Sequence, residues 1–253
     1  MKLILLRHGE SEWNLLNKFT GWTDIGLTKN GINEAQIAAE KLLQEKLIIK
    51  SINTSVLDRA IQTAEIVSNI IGFNKKTIYH KWRLNERHYG ALQGLNKSET
   101  AKKYGEEKVH LWRRSYDILP PLLNENDERH PKFYKKFKNI KNELPLGESL
   151  KEVIERLEPF WNDYKLNTLS SNSGDHLIVA HSNSLRAIIK MLENLSKNEI
   201  VTVNIPTGVP LVYELSKDLE IKSKKYLLDE KALLKKQQSI INQGKCDDRF
   251  LKS

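Results

Sequence analysis

Two short apolar runs in this chain end in the same way. Leu3-Ile4-Leu5-Leu6 stops at Arg7-His8-Gly9, and the run from His176 to Ala180 stops at His181-Ser182. Runs of this length read as buried strands. Buried strands interleaved with helical segments imply a parallel sheet covered on both faces, with right-handed crossovers. Such sheets bind ligands at the carboxyl ends of their strands. If the two strands are parallel neighbours, His8 and His181 stand side by side at that edge. A lone buried histidine is most often a satisfied core residue, but two at equivalent strand ends, each with arginines nearby, point to chemistry.

The intervening segments supply the helices. Thr28 caps one that runs to about Lys46, with Ile32, Ala35, Ala38, Ala39 and Leu42 on one face. Another spans Leu57 to Ile71 and ends at Gly72. Ser149-Leu-Lys-Glu152 is a capping box opening a helix to about Tyr164, and Asn183–Asn194 follows the second histidine strand. Ser196-Lys-Asn-Glu199 caps a further turn. Ser51–Thr54 and Thr77–Tyr79 are further strand candidates. Val209–Leu215 and Glu220–Leu227 read as edge strands, and Asp229–Ile241 as a helix. The expected fold class is α/β, a three-layer αβα sandwich around a mostly parallel sheet, formed as one domain over residues 1–241.

Between Trp82 and Pro145 the rhythm breaks. Glu99–Tyr104 and Glu106–Arg113 read as short helices, and Asn124–Lys141 as exposed loop. A long irregular insertion in a compact domain is usually functional, so residues 82–145 are expected to form a lid subdomain over the site. Ser170–Gly174 reads as a loop, and the polar stretch 242–253 as a mobile tail.

Composition narrows the function classes. No run of 18 apolar residues exists, so no membrane span is indicated. The amino terminus moves straight into a strand without a signal-peptide pattern, and Cys246 is the single cysteine. Together these favour the cytoplasm. The net charge of +9 is compatible with nucleic acid, but the arginines sit in phosphate-type motifs instead of a basic stripe with interleaved aromatics. A small polyanion is the better partner, with neither nucleic acid nor membrane. Arg7 offers a planar fork of donors suited to phosphate. His8 can be a nucleophile, and Gly9 lets the backbone approach a ligand. No metal-type pattern such as H-E-x-x-H or C-x-x-C appears, so no metal is expected.

The opening string Leu3–Asn14 resembles the phosphohistidine signature of the cofactor-dependent phosphoglycerate mutases, within the histidine phosphatase superfamily. The resemblance continues through Phe19–Asp24, Leu57–Thr63, Trp82–Gly90, Leu95–Thr100, Trp112–Tyr116, Ala180–Arg186 and Asn204–Pro210, in order. It covers all but the last part of the chain. It implies phosphoryl transfer, whose transition state spreads negative charge over three oxygens. His8 would be the nucleophile that becomes phosphohistidine, primed by the cofactor 2,3-bisphosphoglycerate. Arg7, Arg59 and His181 would stabilise the phosphoryl group in flight. Glu86 would be the general acid/base; the plain alternative is an ion pair with Arg83 or Arg87. Ser11, Asn14, Thr20 and Gly21 match positions that bind substrate near His8. Thr23 and Asp24 would order that loop. Tyr89, Lys97, Arg113, Arg114, Ser182 and Asn183 would hold the rest of the substrate. Family members are commonly dimers or tetramers, so a homodimer or homotetramer is implied.

The reaction implied is interconversion of 3- and 2-phosphoglycerate in glycolysis and gluconeogenesis. One alternative is a phosphatase on the same fold, with water as acceptor. A second is a bisphosphoglycerate synthase, but that subfamily typically has glycine at the position of Ser11. A catalytically silent binding protein would be expected to have lost His8, Glu86 or His181, and all three are present. One departure stands out: after the second histidine the family usually has glycine, and here the residue is Ser182.

Overall fold

The computed structural model describes residues 1–140, 144–170, 174–243 and 245. In chain order the regular elements are β1 (Lys2–Arg7), α1 (Glu12–Leu15), α2 (Lys29–Gln44), β2 (Ile49–Thr54), α3 (Asp58–Ile70), β3 (Tyr79–His80), α4 (Lys97–Tyr104), α5 (Glu106–Arg114), α6 (Leu150–Tyr164), β4 (Asp175–Ala180), α7 (Ser182–Glu193), α8 (Lys197–Thr202), β5 (Leu211–Leu215), β6 (Ile221–Tyr226) and α9 (Glu230–Asn242). The six strands form one sheet in the order β3-β2-β4-β1-β5-β6. β1 to β4 are mutually parallel, β5 runs antiparallel to β1, and β6 runs antiparallel to β5 at the sheet edge.

The pleat sorts β1 onto two cores. Leu3 and Leu5 face α6 and α7, where Leu157, Trp161, Leu185 and Ile188 close over them. Ile4 and Leu6 face α2 and α3, meeting Ala38, Leu42, Ala64 and Val67. These are the three layers expected. The small residues of α2 let that helix lie close to the sheet, as its alanine-rich face anticipates.

Local signals in the sequence became caps. The Thr28 hydroxyl accepts the Gly31 N–H at 3.0 Å. Ser149 with Glu152, and Ser196 with Glu199, form reciprocal capping boxes. Gly72 follows α3 with φ of +71°, a conformation that favours glycine.

Four expectations need correction. Residues Lys75–Thr77 form a 3₁₀ turn capped by Asn74, and the strand is only Tyr79–His80; the Asn74 side chain competes for the backbone there. β5 is not an edge strand, because it pairs with β1 on one side and β6 on the other, which leaves β6 as the edge. The stretch from Asn124 is not simply exposed loop. It contains 3₁₀ turns at Pro131–Phe133 and Lys135–Phe137, and Phe137 is buried against Trp22 and Leu57. Finally, the expected mobile tail begins too early: Asn242 closes α9, and Gln243 reaches the site described below. Residues 141–143, 171–173, 244 and 246–253, which carry the rest of the loop, lid and tail expectations, lie outside the described residues.

Candidate active site

Strand register alone brings the two histidines together. Arg7 of β1 pairs with Ala180 of β4, and the His8 N–H donates to the Ala180 carbonyl at 3.0 Å. The His8 and His181 rings then lie with centroids 4.9 Å apart.

His8 Nδ1 is 2.7 Å from the Gly9 carbonyl oxygen. A carbonyl only accepts, so Nδ1 carries the proton and Nε2 keeps its lone pair. Burial holds the His8 pKa well below its ordinary value, and the charges of Arg59 and Arg7 add to that. The ring is therefore neutral near pH 7, which is the form a nucleophile needs. His181 is depressed in the same direction by burial, then by Arg59, His8 and Arg7. Gly9 serves a different purpose from the one expected. A Cβ there would meet the Gly31 carbonyl oxygen at 2.1 Å, so its close approach is to the first turn of α2, not to a ligand.

The arginines are fixed by carbonyls. Arg59, in the first turn of α3, donates to the Thr23 and Gly21 carbonyls at 3.0 and 2.8 Å. Asp24 accepts the Asp58 N–H at 2.7 Å and pairs with Lys136. Thr23 and Asp24 thus order the loop, as expected. Arg7 donates to the Ile205 carbonyl at 2.9 Å, and its Nε is buried without a partner.

Glu86 is buried, not a surface partner of its neighbours. Its Oε1 accepts the N–H of Arg87 at 2.8 Å and that of Asn183 at 3.0 Å. Asn183 lies in the first turn of α7, where a helix favours negative charge. Behind this segment Arg156 bridges to Glu148 at 2.6 Å and donates to the carbonyls of Arg83, Asn85 and Glu86.

A cavity opens above the strand ends. Its wall includes Arg7, His8, Asn14, Thr20, Gly21, Arg59, Glu86, Tyr89, Lys97, Arg113, Arg114, Ser182 and Asn183. Two expected site residues are not on that wall. His181 sits behind it, against His8. Ser11 is fully buried as the cap of α1, where its hydroxyl accepts the Asn14 N–H and the Asn14 side chain accepts the Ser11 N–H. Its effect on the site runs through Asn14.

The wall also holds residues that sequence reasoning missed: Lys18, Ile240 and Gln243. The last two come from α9 and its C-terminal cap. Arg113 donates to the Ile240 carbonyl and Lys97 Nζ to Gln243 Oε1, each at 3.4 Å. The apolar periodicity of α9 gives no hint of this, because a main-chain carbonyl and an amide tip make the contact. Arg114 instead reaches the Val201 and Val203 carbonyls and Asn204 Oδ1, tying α5 to α8.

The electrostatics are lopsided. Among the described wall residues Glu86 is the one carboxylate, against Arg7, Lys18, Arg59, Lys97, Arg113 and Arg114. Burial lowers Arg59, Arg113 and Arg114 to about 10. Burial, with Arg113 and Arg7 nearby, pushes the Lys97 amine well below its ordinary value. Crowded, desolvated cations of this kind call for an anion of several charges. Among the described residues no group of three or more His, Cys, Asp or Glu is placed to hold a metal, and no helix is long and apolar enough to cross a membrane.

Comparisons with known proteins identify the family. The model of the histidine phosphatase superfamily (branch 1) matches residues 3–126 and 121–218. A 2,3-bisphosphoglycerate-dependent phosphoglycerate mutase from Hydrogenobaculum sp. is 50% identical over 244 residues, covering 96% of this chain and 98% of that protein. One from Treponema denticola is 49% identical over 246 residues, covering 97% and 99%. Among solved structures, a mycobacterial glucosyl-3-phosphoglycerate phosphatase has a TM-score of 0.68 at 21% identity, covering 90% of this chain and 98% of that one. A putative alpha-ribazole-5'-P phosphatase from Escherichia coli has a TM-score of 0.66 at 18% identity, covering 90% and 96%.

Proposed function

This chain belongs to the histidine phosphatase superfamily, and from that membership we propose that it works as a 2,3-bisphosphoglycerate-dependent phosphoglycerate mutase, interconverting 3- and 2-phosphoglycerate. The observation that carries this is the neutral His8, its Nε2 lone pair free, beside His181 in a cationic cavity with one buried carboxylate. Relatives near 50% identity over almost the whole chain bear the mutase name, which favours a phosphoglycerate over water as acceptor. The solved phosphatases, at about a fifth identity, speak to the fold alone.

The residues fit the bisphosphoglycerate: six wall cations against one carboxylate, and a buried donor without a partner at Arg7 Nε, match a compact polyanion. When bound, the bisphosphoglycerate supplies the phosphoryl group that His8 carries. His8 Nε2 would take the phosphoryl group as its P–O bond to the bisphosphoglycerate breaks, with Glu86 protonating the leaving oxygen and Nδ1–H held on the Gly9 carbonyl so that the positive charge developing on the ring is stabilised. Arg7 and Arg59 donate to the equatorial oxygens, and His181 approaches from the side of β4. These groups supply the charge that Mg²⁺ supplies in kinases. Glu86 takes the proton from the attacking substrate hydroxyl and returns it in the reverse step. Asn14, Thr20, Gly21, Ser182 and Asn183 bind oxygens close to His8. Tyr89, Lys97, Arg113 and Arg114, carried by the insertion 82–145 as a lid over the site, hold the distal end. The family resemblance extends the proposal to a cytoplasmic homodimer or homotetramer.

The test is an assay for 2-phosphoglycerate from 3-phosphoglycerate, with and without bisphosphoglycerate, in EDTA. Activity that depends on bisphosphoglycerate and survives EDTA is expected. Labelled bisphosphoglycerate should leave an acid-labile, base-stable label on His8, absent in His8→Ala. A label on serine, or turnover that requires Mn²⁺ or Zn²⁺, would overturn the reading.

A further inference from the structure

Ser55 follows β2 and precedes α3, and it is fully buried. Its Oγ lies 2.7 Å from His181 Nε2. The same oxygen accepts the Leu57 N–H at 3.2 Å. Leu57 is the N-cap of α3, the helix whose first turn carries Arg59. One hydroxyl therefore joins the second histidine to the element that delivers Arg59 to the cavity wall.

The hydrogen-bond inventory fixes the direction. A serine hydroxyl has one proton to donate and two lone pairs to receive. The Leu57 amide occupies one lone pair. Among the described residues the only acceptor in reach of the hydroxyl proton is His181 Nε2. Nε2 then accepts, and in the neutral ring the proton resides on Nδ1. His181 Nδ1 is buried and has no partner in the protein, while the ring lies 4.9 Å from that of His8, centroid to centroid. A desolvated N–H with no protein acceptor, beside the nucleophile, is a donor reserved for a ligand oxygen.

We propose that Ser55 is the positioning residue of His181: its hydroxyl locks the ring in the Nδ1-protonated tautomer, so that Nδ1–H is presented to the phosphoryl group as it transfers to and from His8. Ser55 touches neither substrate nor phosphorus. It acts through His181, as the partners that orient catalytic imidazoles do elsewhere. The role in turnover rests on the phosphohistidine reading above; the tautomer does not.

The test has a spectroscopic arm and a kinetic arm. In protein labelled with ¹⁵N-histidine, long-range ¹H–¹⁵N spectra of the wild type should show His181 with Nδ1 protonated and Nε2 as a bare acceptor. Ser55→Ala should abolish that single tautomer. Its kcat should fall about 10- to 100-fold, the range seen when an imidazole loses its orienting partner, with KM for 3-phosphoglycerate within about twofold. Ser55→Thr, which keeps the hydroxyl, should recover both the tautomer and most of the kcat. A wild-type His181 protonated on Nε2 would overturn the proposal, as would unchanged kcat in a folded Ser55→Ala. If Ser55→Ala fails to fold, the wild-type spectrum alone decides. A wild type without mutase activity but with the expected tautomer would instead count against the mutase reading and leave the assignment of Ser55 to His181 standing.

Discussion

Glu86 and Asn183 are 97 positions apart in the chain, and a hydrogen bond of 3.0 Å joins them, from the Asn183 N–H to Glu86 Oε1. The bond ties the start of the insertion to the first turn of α7, one step beyond His181 and Ser182. It places a carboxylate at a helix N-terminus and leaves Oε2 for chemistry. The arrangement separates two jobs on one side chain, anchoring and proton transfer.

Glu86→Gln tests that separation. The amide oxygen can still accept the Asn183 N–H, so the local structure should persist. The amide cannot take a proton. We expect kcat for the mutase reaction to fall by about 10²- to 10⁴-fold, the usual worth of a general base, with KM little changed. Steady-state kinetics and a thermal melt check both halves. A folded variant with near wild-type kcat would remove Glu86 from its proposed role.

Arg113→Ala probes the far end of the cavity. Arg113 is buried at the end of α5 and donates to the Ile240 carbonyl of α9 at 3.4 Å. As proposed, it meets the part of the substrate that does not react. Its loss should raise KM by about tenfold or more while the rate of His8 phosphorylation by bisphosphoglycerate stays within a few-fold. An unchanged KM with a collapsed kcat would contradict this placement.

How much of this was visible beforehand depends on distance along the chain. His8 and His181 were legible because apolar strands end at each, and parallel pairing then leaves little freedom. The caps at Thr28, Ser149 and Ser196 were legible because capping is local. Ser55 and the Arg156–Glu148 bridge were not, because each acts on a residue brought near only by folding: Ser55 on His181, and Arg156 on the carbonyls of Arg83, Asn85 and Glu86. Glu148 precedes the Ser149 cap, and the cap pattern absorbed the reading. Ile240 was missed for another reason. It engages Arg113 through its main-chain carbonyl, on which side-chain pattern is silent.

Acid stability offers a third test. His88 is fully buried, and its Nδ1 accepts the Gly90 N–H at 3.1 Å. Burial, then the charges of His130, Arg156 and Arg129, lowers its pKa to about 3. An unfolded histidine titrates near 6.5. Between those values the unfolded chain binds a proton that the folded chain refuses, so stability falls as pH drops. Above about pH 6.5 the residue contributes no slope. Below it the loss approaches about 1.4 kcal/mol per pH unit from this residue. His8 and His181 are depressed in the same direction and add to the slope. His88→Asn, whose amide oxygen can replace Nδ1 as acceptor, should make the decline between pH 7 and pH 5 shallower in urea unfolding. Equal slopes in the two proteins would show that His88 is not responsible.

The last prediction concerns Ser182, which stands where the family usually has glycine. A glycine can serve there for one of two reasons. Either the turn needs positive φ, which would strain a serine by about 1 kcal/mol, or the backbone must simply come close to a phosphate oxygen. The structure decides between them. Ser182 is the first residue of α7, and it is absent from the non-glycine residues with positive φ, which are Asn17, Lys46, Asn194 and Leu219 among those described. Serine is therefore unstrained, and its N–H, at a helix N-terminus on the cavity wall, can still serve an anion. The hydroxyl adds a second donor on a residue of the cavity that His8 also lines. Restoring the family residue by Ser182→Gly should accordingly change kcat by less than about tenfold, equivalent to about 1.4 kcal/mol in the barrier. If the hydroxyl holds a water near phosphorylated His8, the same variant should also hydrolyse bisphosphoglycerate more slowly, which phosphate release in the absence of 3-phosphoglycerate would measure. A rise of several orders of magnitude in kcat would mean that serine cripples the natural protein despite its relaxed backbone, and the assignment of an efficient mutase to this chain would fall with it.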